Sequence, residues 1–424
     1  MSSLKILQDD TYLQPFEFAI TGRHDYAVRK EQELLGEENK TLSDFASGYL
    51  FFGMHKIKRS WVIREWAPNA TELYLIGDFN GWQKNDKFKF ERKENGIWEL
   101  KVGERMLKHG DLYKFIIVWN GGEGERIPAW ARYVVQDPVT HIFSAKVWMP
   151  ENPYKFKIRK FRPTTSPLKI YECHIGMATE EERIGTYDEF RINVLPRIVK
   201  AGYNCIQIMA IQEHPYYGSF GYHVSNFFAA SSRFGTPDEL KQLVDEAHKN
   251  NIAVIMDLVH SHAVKNEVEG LARFDGTPYQ YFHGGERREH PAWDSLCFNY
   301  NKNEVLHFLL SNCKFWLEEY KFDGFRFDGV TSMIYRNHGL GQDFTNYSDY
   351  YNLNQDGDAI CYLTLANKLI HEVKPDAITI AEEMSGLPEL AVPFSDGGIG
   401  FDYRLAMGIP DFWIRYIKEV RDED

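Results

Sequence analysis

The sequence is short of three things, and each shortage removes a class of protein. It has only 5 cysteines in 424 residues. Cys173, Cys205, Cys297, Cys313 and Cys361 are widely spaced and form no C-x-x-C pair. Disulfide frameworks and thiolate metal centres need paired spacing, so these read as reduced core residues, with no metal site expected. No stretch nears the roughly 18 consecutive apolar residues of a membrane span, and MSSLKILQDD has no apolar signal core. Basic side chains number 49 against 61 acidic, a net charge of −12. That balance disfavours nucleic acid and anionic membranes, both of which select basic patches. The chain reads as a soluble, cytoplasmic protein with a neutral or cationic ligand. It contains no internal repeat and no low-complexity segment.

What is plentiful is apolar and aromatic. Hydrophobic residues make up 43% and aromatics 15%, including 10 Trp and 24 Tyr. A chain of this size can bury a large core in two or three domains. Surplus rings suit flat, weakly charged ligands such as sugars. Residues 1–45 carry helical spacing in HDYAVRKEQELLG with a stop at Gly36, which predicts a short helical segment. From 46 to 155 the pattern becomes short alternating strands. In NGIWELKV, Trp98, Leu100 and Val102 share one face, and Asn80-Gly81 and Asn95-Gly96 are turn signals. An antiparallel β-sandwich follows from this pattern. The basic, proline-bounded NPYKFKIRKFRP reads as a linker.

From 156 to 424 strand-like and helical runs alternate, which predicts an α/β fold of parallel strands with crossover helices, a (β/α) barrel of the TIM type. About six strands are countable. Three of them end in acid: IAVIMD at Asp257, GFRFD at Asp328 and TIAE at Glu382. Carboxyl ends of parallel barrel strands meet on one face, so these acids should converge. Arg326 and Asp328 are two apart on one strand and therefore share a face. The guanidinium should lower the Asp328 pKa and keep it ionised as a nucleophile, while Glu382 should be raised to serve as general acid. Two such carboxyls about 5–5.5 Å apart are the equipment of a retaining glycosidase or glycosyltransferase. An Asp-Gly pair alone also makes a simple turn, and Arg326 could belong to a purely structural ion pair. His260 and His262 follow the third strand, each either a neutral donor to sugar hydroxyls or a capped loop histidine. The long stretch from Val259 to Gly324, with QYFHGGERREHPAWDS, should arch over the barrel mouth or form a variable surface loop.

These segments resemble a known family. DLVHSH, GFRFDGV and AEEMSG are similar to signature blocks of the α-amylase clan of glycoside hydrolases. With SFGYHVSNFFAASSRFGTPDEL, HGLGQDFT and GFDYRLAMGIPDFW, the likeness is to 1,4-α-glucan branching enzymes of the eukaryotic-like type. WAPNATELYLIGDFNGW resembles their glucan-binding domain. The resemblance implies Asp328 as nucleophile and Glu382 as acid/base, with Glu383 pointing away. It implies that Arg326, Asp257, His262 and Tyr222 hold the sugar at the cleavage point. Trp66, Pro68 and Trp82 would form a surface glucan contact, although a tryptophan at 82 could equally be core. Arg336, Asn337 and His223 depart from the family's usual residues. The implied reaction cleaves an α-1,4 bond, carries the oligoglucosyl unit on Asp328, and passes it to a 6-hydroxyl of glycogen or starch, without a cofactor. The alternatives are a hydrolase or debranching enzyme of the clan and a truncated, inactive glucan-binding fragment. The family's further His-Asp block should lie beyond FDYRLAMGIPDFW, so the chain is expected to be a C-terminally truncated form. Its barrel would lack the last strands and the third carboxylate, and activity would belong to a longer chain.

Overall fold

Alternation in NGIWELKV becomes the strand Ile97–Gly103, with Trp98, Leu100 and Val102 buried in the core. The turn before it has Asn95 and Gly96 both at positive φ, 55° and 73°, the backbone that Asn-Gly adopts in tight hairpins. In the computed structural model, residues 4–36, 39–164, 167–421 and 423 are described; residues 1–3, 37 and 38 of the expected helical segment lie outside them. Two antiparallel sheets form the N-terminal module. One runs Gly53–Ile57, Ser60–Trp66, Ile97–Gly103, Glu91–Arg92; the other runs Ala70–Gly77, Leu112–Trp119, Phe143–Lys146, Val134–Gln136, with Gly122–Arg126 beside Leu112–Trp119. Their facing side chains bury a common core.

The expected N-terminal helix is Glu17–Leu35, closed by Gly36 in the left-handed region. It packs against the barrel. Tyr26 donates to Asp358 at 2.7 Å, and the Lys30 ammonium donates to the Asn303 side chain at 3.0 Å. The stretch read as a linker is a fixed strap. The buried Asp245 accepts the backbone N–H groups of Lys157 (2.8 Å) and Ile158 (2.9 Å) and the Tyr154 hydroxyl (2.5 Å). Phe161 then stacks on His248 with centroids 4.2 Å apart.

Six strands form one parallel sheet in chain order: Ile170–Cys173, Cys205–Ile208, Ala253–Leu258, Gly324–Phe327, Ile378–Ala381 and Tyr403–Arg404. The first and last of these pair on one side only, so among the described residues the sheet curls without closing. Helices Pro237–Lys249, Asn303–Glu319 and Gly357–Val373 cover its outside. The TPDE that opens the first of them is a complete capping box, Thr236 with Glu239, and has Pro237 in the first turn, which satisfies the free N–H groups of that helix end. Side chains alternate across the sheet. Val254, Met256, Phe325 and Phe327 face the helices, whereas Cys205, Ala253, Ile255, Ile378 and Ile380 make a small apolar layer inside the curl. One pleat further along, the inward side chains turn polar.

Among the described residues no helix is long and apolar enough to cross a membrane.

Gly324 sets how closely the fourth and fifth strands approach. It sits at φ 146°, and a Cβ there would lie 1.9 Å from the Ile378 carbonyl oxygen. No side-chain rotation relieves a clash with backbone. We expect Gly324→Ala to abolish soluble folded protein or lower Tm by more than about 10 °C, a shift set by several kcal/mol of strain. Thermal melts followed by circular dichroism check this.

Candidate active site

Strand register brings the polar layer together. Asp257 and Arg326 are direct cross-strand partners, and Arg326 is paired on its other side with Ile380. Asp328 stands one pleat beyond Arg326, and Glu382 one pleat beyond Ile380. All three acids therefore surround one guanidinium. Its Nη1 is 3.1 Å from Asp257 Oδ2 and 3.2 Å from Asp328 Oδ1, and its Nη2 is 3.1 Å from Glu382 Oε1. Exposure grows toward the mouth: the Asp257 side chain is 0% exposed, Arg326 8%, Asp328 13% and Glu382 22%. Gly329 at φ 63° turns the chain from Asp328 into the short helix Val330–Ile334, and its N–H donates to Glu382 Oε2 at 2.8 Å.

The remaining oxygens of Asp257 are taken by the protein. Gln207 donates to Oδ1 at 2.8 Å and the Tyr222 hydroxyl to Oδ2 at 2.6 Å. His262 is buried, with Nε2 2.7 Å from the Tyr222 carbonyl and Nδ1 2.9 Å from the Ser261 hydroxyl. Burial pushes its pKa down to about 4, so it is neutral and Nε2 carries the hydrogen. Ser261 also reaches Asp328 Oδ2 at 3.4 Å. His260 lies in the core, bonded to Tyr362 and Asn312, which is the structural one of its two readings. Glu383 turns away as expected: its oxygens accept the N–H groups of Ser385 (2.6 Å) and Gly386 (2.9 Å).

One expectation about charge is corrected. Arg326 was expected to carry Asp328 below the usual carboxylate range, but burial outweighs it and Asp328 is raised. Glu382 is raised too, first by burial and then by the Asp328 charge, against the pull of Arg326. The contact between the two acids works downward on Asp328 and upward on Glu382, which favours Glu382 as the one to hold a proton. Burial likewise lifts Asp257 to about 7. Arg326 itself is raised: burial works against its charge, and the three carboxylates outweigh that.

The three residues expected to make one glucan surface are divided. Trp66 packs edge-on against Tyr281, centroids 5.4 Å apart, and lines a 100 Å³ cavity between sandwich and barrel with Phe52, Asn95, Glu304 and His307. Pro68 sits close by, packed under Gly96. Trp82 donates its indole N–H to Asp78 at 3.0 Å and lines a separate open cleft of 720 Å³ with Gln136, Pro138 and Ile142. The stretch after Val259 does reach the mouth. It makes three short strands, Ala263–Val264, Glu289–His290 and Ser295–Leu296, and sets Trp293 5.1 Å from the His262 ring. Trp293, Ser261 and Gln207 were not singled out from the sequence. Gln207 had a signal, being the one polar residue between the apolar neighbours of NCIQIMAI; the other two had none. Among the described residues no group of three or more His, Cys, Asp or Glu side chains is placed to hold a metal ion; the guanidinium occupies the centre of the acid cluster.

Comparison with known proteins gives the family. A family model for carbohydrate-binding module 48 (isoamylase N-terminal domain) matches residues 51–131, and one for the alpha amylase catalytic domain matches residues 192–291 and 290–405. The chain is 48% identical to a 1,4-alpha-glucan-branching enzyme of Dictyostelium discoideum, over 99% of this chain and 62% of that protein. It is 47% identical to the enzyme of that name from Yarrowia lipolytica, over 100% and 64%. It is also 47% identical to 1,4-alpha-glucan-branching enzyme 2-2, chloroplastic/amyloplastic, of Arabidopsis thaliana, over 99% and 53%. The chain thus spans less than two thirds of the length of these curated relatives. Among solved structures, pullulanase from Bacillus acidopullulyticus superposes with TM-score 0.62 at 19% identity, covering 79% of this chain and 42% of that one. The catalytic module of a glycogen-degrading pneumococcal virulence factor gives 0.59 at 18%, covering 84% and 52%. At such identities these two share the fold.

The charge cluster makes a prediction independent of any activity. Carboxyl carbons of Asp328 and Glu382, followed by ¹³C NMR, should both titrate above the ordinary carboxylate range. In Arg326→Ala the attraction is gone while burial stays, so both should move further up. In Asp328→Asn the Glu382 titration should fall, because the like charge beside it is removed.

Proposed function

The chain belongs to the α-amylase family, and from that premise we propose that it carries the catalytic centre of a 1,4-α-glucan-branching enzyme. The observation supporting this reading is the single guanidinium that holds Asp328 and Glu382 side by side. Asp328 Oδ attacks the anomeric carbon of an α-1,4-linked glucan while Glu382 gives its proton to the departing 4-oxygen. The sugar is left as an ester on Asp328. A 6-hydroxyl of a second chain then gives its proton to Glu382 and attacks the same carbon, which releases Asp328 and forms an α-1,6 branch with retained configuration. Positioning and the carboxyl pair account for this chemistry. The elevated pKa of Glu382 suits a group that must be acid in one half-reaction and base in the next.

Arg326 orients both reacting acids. Tyr222 stands at the rim of the pair, where it can meet the sugar undergoing cleavage. Asp257 and His262 have their polar atoms engaged by protein, so in this reading they act by fixing Arg326 and Tyr222. Trp66 and Pro68, at the junction of sandwich and barrel, and Trp82, in its own cleft, serve as two separate glucan contacts. The substrate is an α-glucan such as glycogen, amylose or amylopectin, and the compartment is the cytoplasm.

Incubation with amylose tests the proposal. Branching should shift the iodine stain and produce α-1,6 anomeric protons in ¹H NMR with few new reducing ends. Asp328→Asn and Glu382→Gln should each reduce that rate about 10³-fold or more. Reducing ends without α-1,6 linkages would identify a hydrolase. No turnover together with retardation by amylopectin in an affinity gel would leave a glucan-binding protein.

A further inference from the structure

Glu382 opens onto a cavity beyond the acid pair. Its 440 Å³ are lined by Glu382 with Trp293, Leu340, Phe344 and Met384, and by polar groups that include Gln342 and Asp343. Acid/base chemistry gives that opening a meaning. The group that protonates the leaving oxygen later deprotonates the incoming hydroxyl, so both chains occupy its side of the anomeric carbon. The cavity is therefore where an acceptor arrives.

Trp293 is the most firmly held part of its wall. The indole lies flat on His290, with centroids 4.0 Å apart and planes 6° from parallel. His290 is itself fixed, with Nε2 2.9 Å from the Ser332 hydroxyl and Nδ1 accepting the Trp293 N–H at 3.1 Å. The far edge of the indole presses on the turn behind the nucleophile: a Cβ on Gly329 would lie 3.0 Å from Trp293 Cη2. The ring is half-buried: it is stacked on His290, has the His262 ring 5.1 Å away at a tilt of 56°, and contributes to the cavity wall. Rigid rings cost little conformational entropy when a ligand stacks on them.

We propose that Trp293 is the stacking platform for the acceptor α-glucan. By filling the cavity with sugar rather than water, it sets how the glycosyl-enzyme divides between chain transfer and hydrolysis. The second half of this inference rests on the branching reading above; the first half requires only that the site binds α-glucan.

Two measurements test it. In a Glu382→Gln background, calorimetry with maltoheptaose should show affinity about tenfold weaker after Trp293→Leu, which stays apolar and loses the ring. Trp293→Phe should restore most of it. In the otherwise wild-type chain, Trp293→Leu should lower the ratio of α-1,6 linkages to new reducing ends about tenfold. Formation of the glycosyl-enzyme from α-maltosyl fluoride should stay within about threefold, as expected for a group that acts after the ester forms. A branching wild type whose maltoheptaose affinity and product ratio are both untouched by Trp293→Leu would overturn this inference alone. A wild type that makes no α-1,6 linkage, but loses maltoheptaose affinity with the ring, would sink the branching reading and leave the platform standing.

Discussion

One guanidinium surrounded by three carboxylates is the constraint on which the catalytic end of this barrel depends. Arg326 places one terminal nitrogen between Asp257 and Asp328 and the other on Glu382. A lysine has a single nitrogen and cannot hold two acids apart while binding both, so the fork geometry of arginine is essential here. Three buried acids with one cation cannot all be ionised cheaply. Burial lifts each of them, and the surplus is relieved by retaining protons. The proposed chemistry asks for that outcome at Glu382, whose side chain is the most exposed of the three acids. Asp257, fully enclosed and saturated by Gln207 and Tyr222, keeps Arg326 from swinging toward either partner.

Much of the chain serves to hold that arrangement from outside. The strand faces turned away from the site pack on helices, so the register of Asp257 against Arg326 cannot slip without exposing a continuous apolar surface. The sandwich braces the excursion that carries Trp293. Asn69 bonds Asp275 by backbone and side chain, Ile127 N–H meets the Val268 carbonyl at 2.9 Å, and Gln280 reaches the Trp66 carbonyl at 2.6 Å. On the other flank, Arg23 of the N-terminal helix pairs with Glu389, just beyond the strand that ends in Glu382, and Tyr351 donates to the same carboxylate. A glucan contact near Trp66 therefore sits on an element mechanically continuous with the catalytic rim.

The sequence made the framework readable because strand alternation, capping and turn chemistry are local. TPDEL closes its own helix end, Asn95-Gly96 makes its own turn, and acids at strand ends converge once the strands are parallel. What escaped was set by partners far along the chain. The ionisation of Asp328 follows from its burial as well as from its visible neighbour at 326. NPYKFKIRKFRP looks like a tether until Asp245 takes two of its N–H groups. Trp66 and Trp82 are 16 positions apart in the sequence, and nothing local tells that the strand between them carries the second to a different cleft. Trp293 has an unremarkable context, HPAWDS, and gains its place only through His290 and Gly329.

The division of labour that emerges separates making the ester from choosing what breaks it. In the proposed reaction the carboxyl pair and Arg326 are indifferent to whether a water or a sugar hydroxyl approaches, since either would deliver its proton to Glu382. Selectivity must then come from what competes for the space in front of that carboxyl. The cavity beside Glu382 has polar walls as well, among them His338, Gln342 and Asp343, so on the proposal above it is the Trp293 indole that rewards a flat sugar face. On that proposal the choice between hydrolysis and transfer falls to the rim, on residues whose positions are fixed by the excursion and the sandwich beneath it.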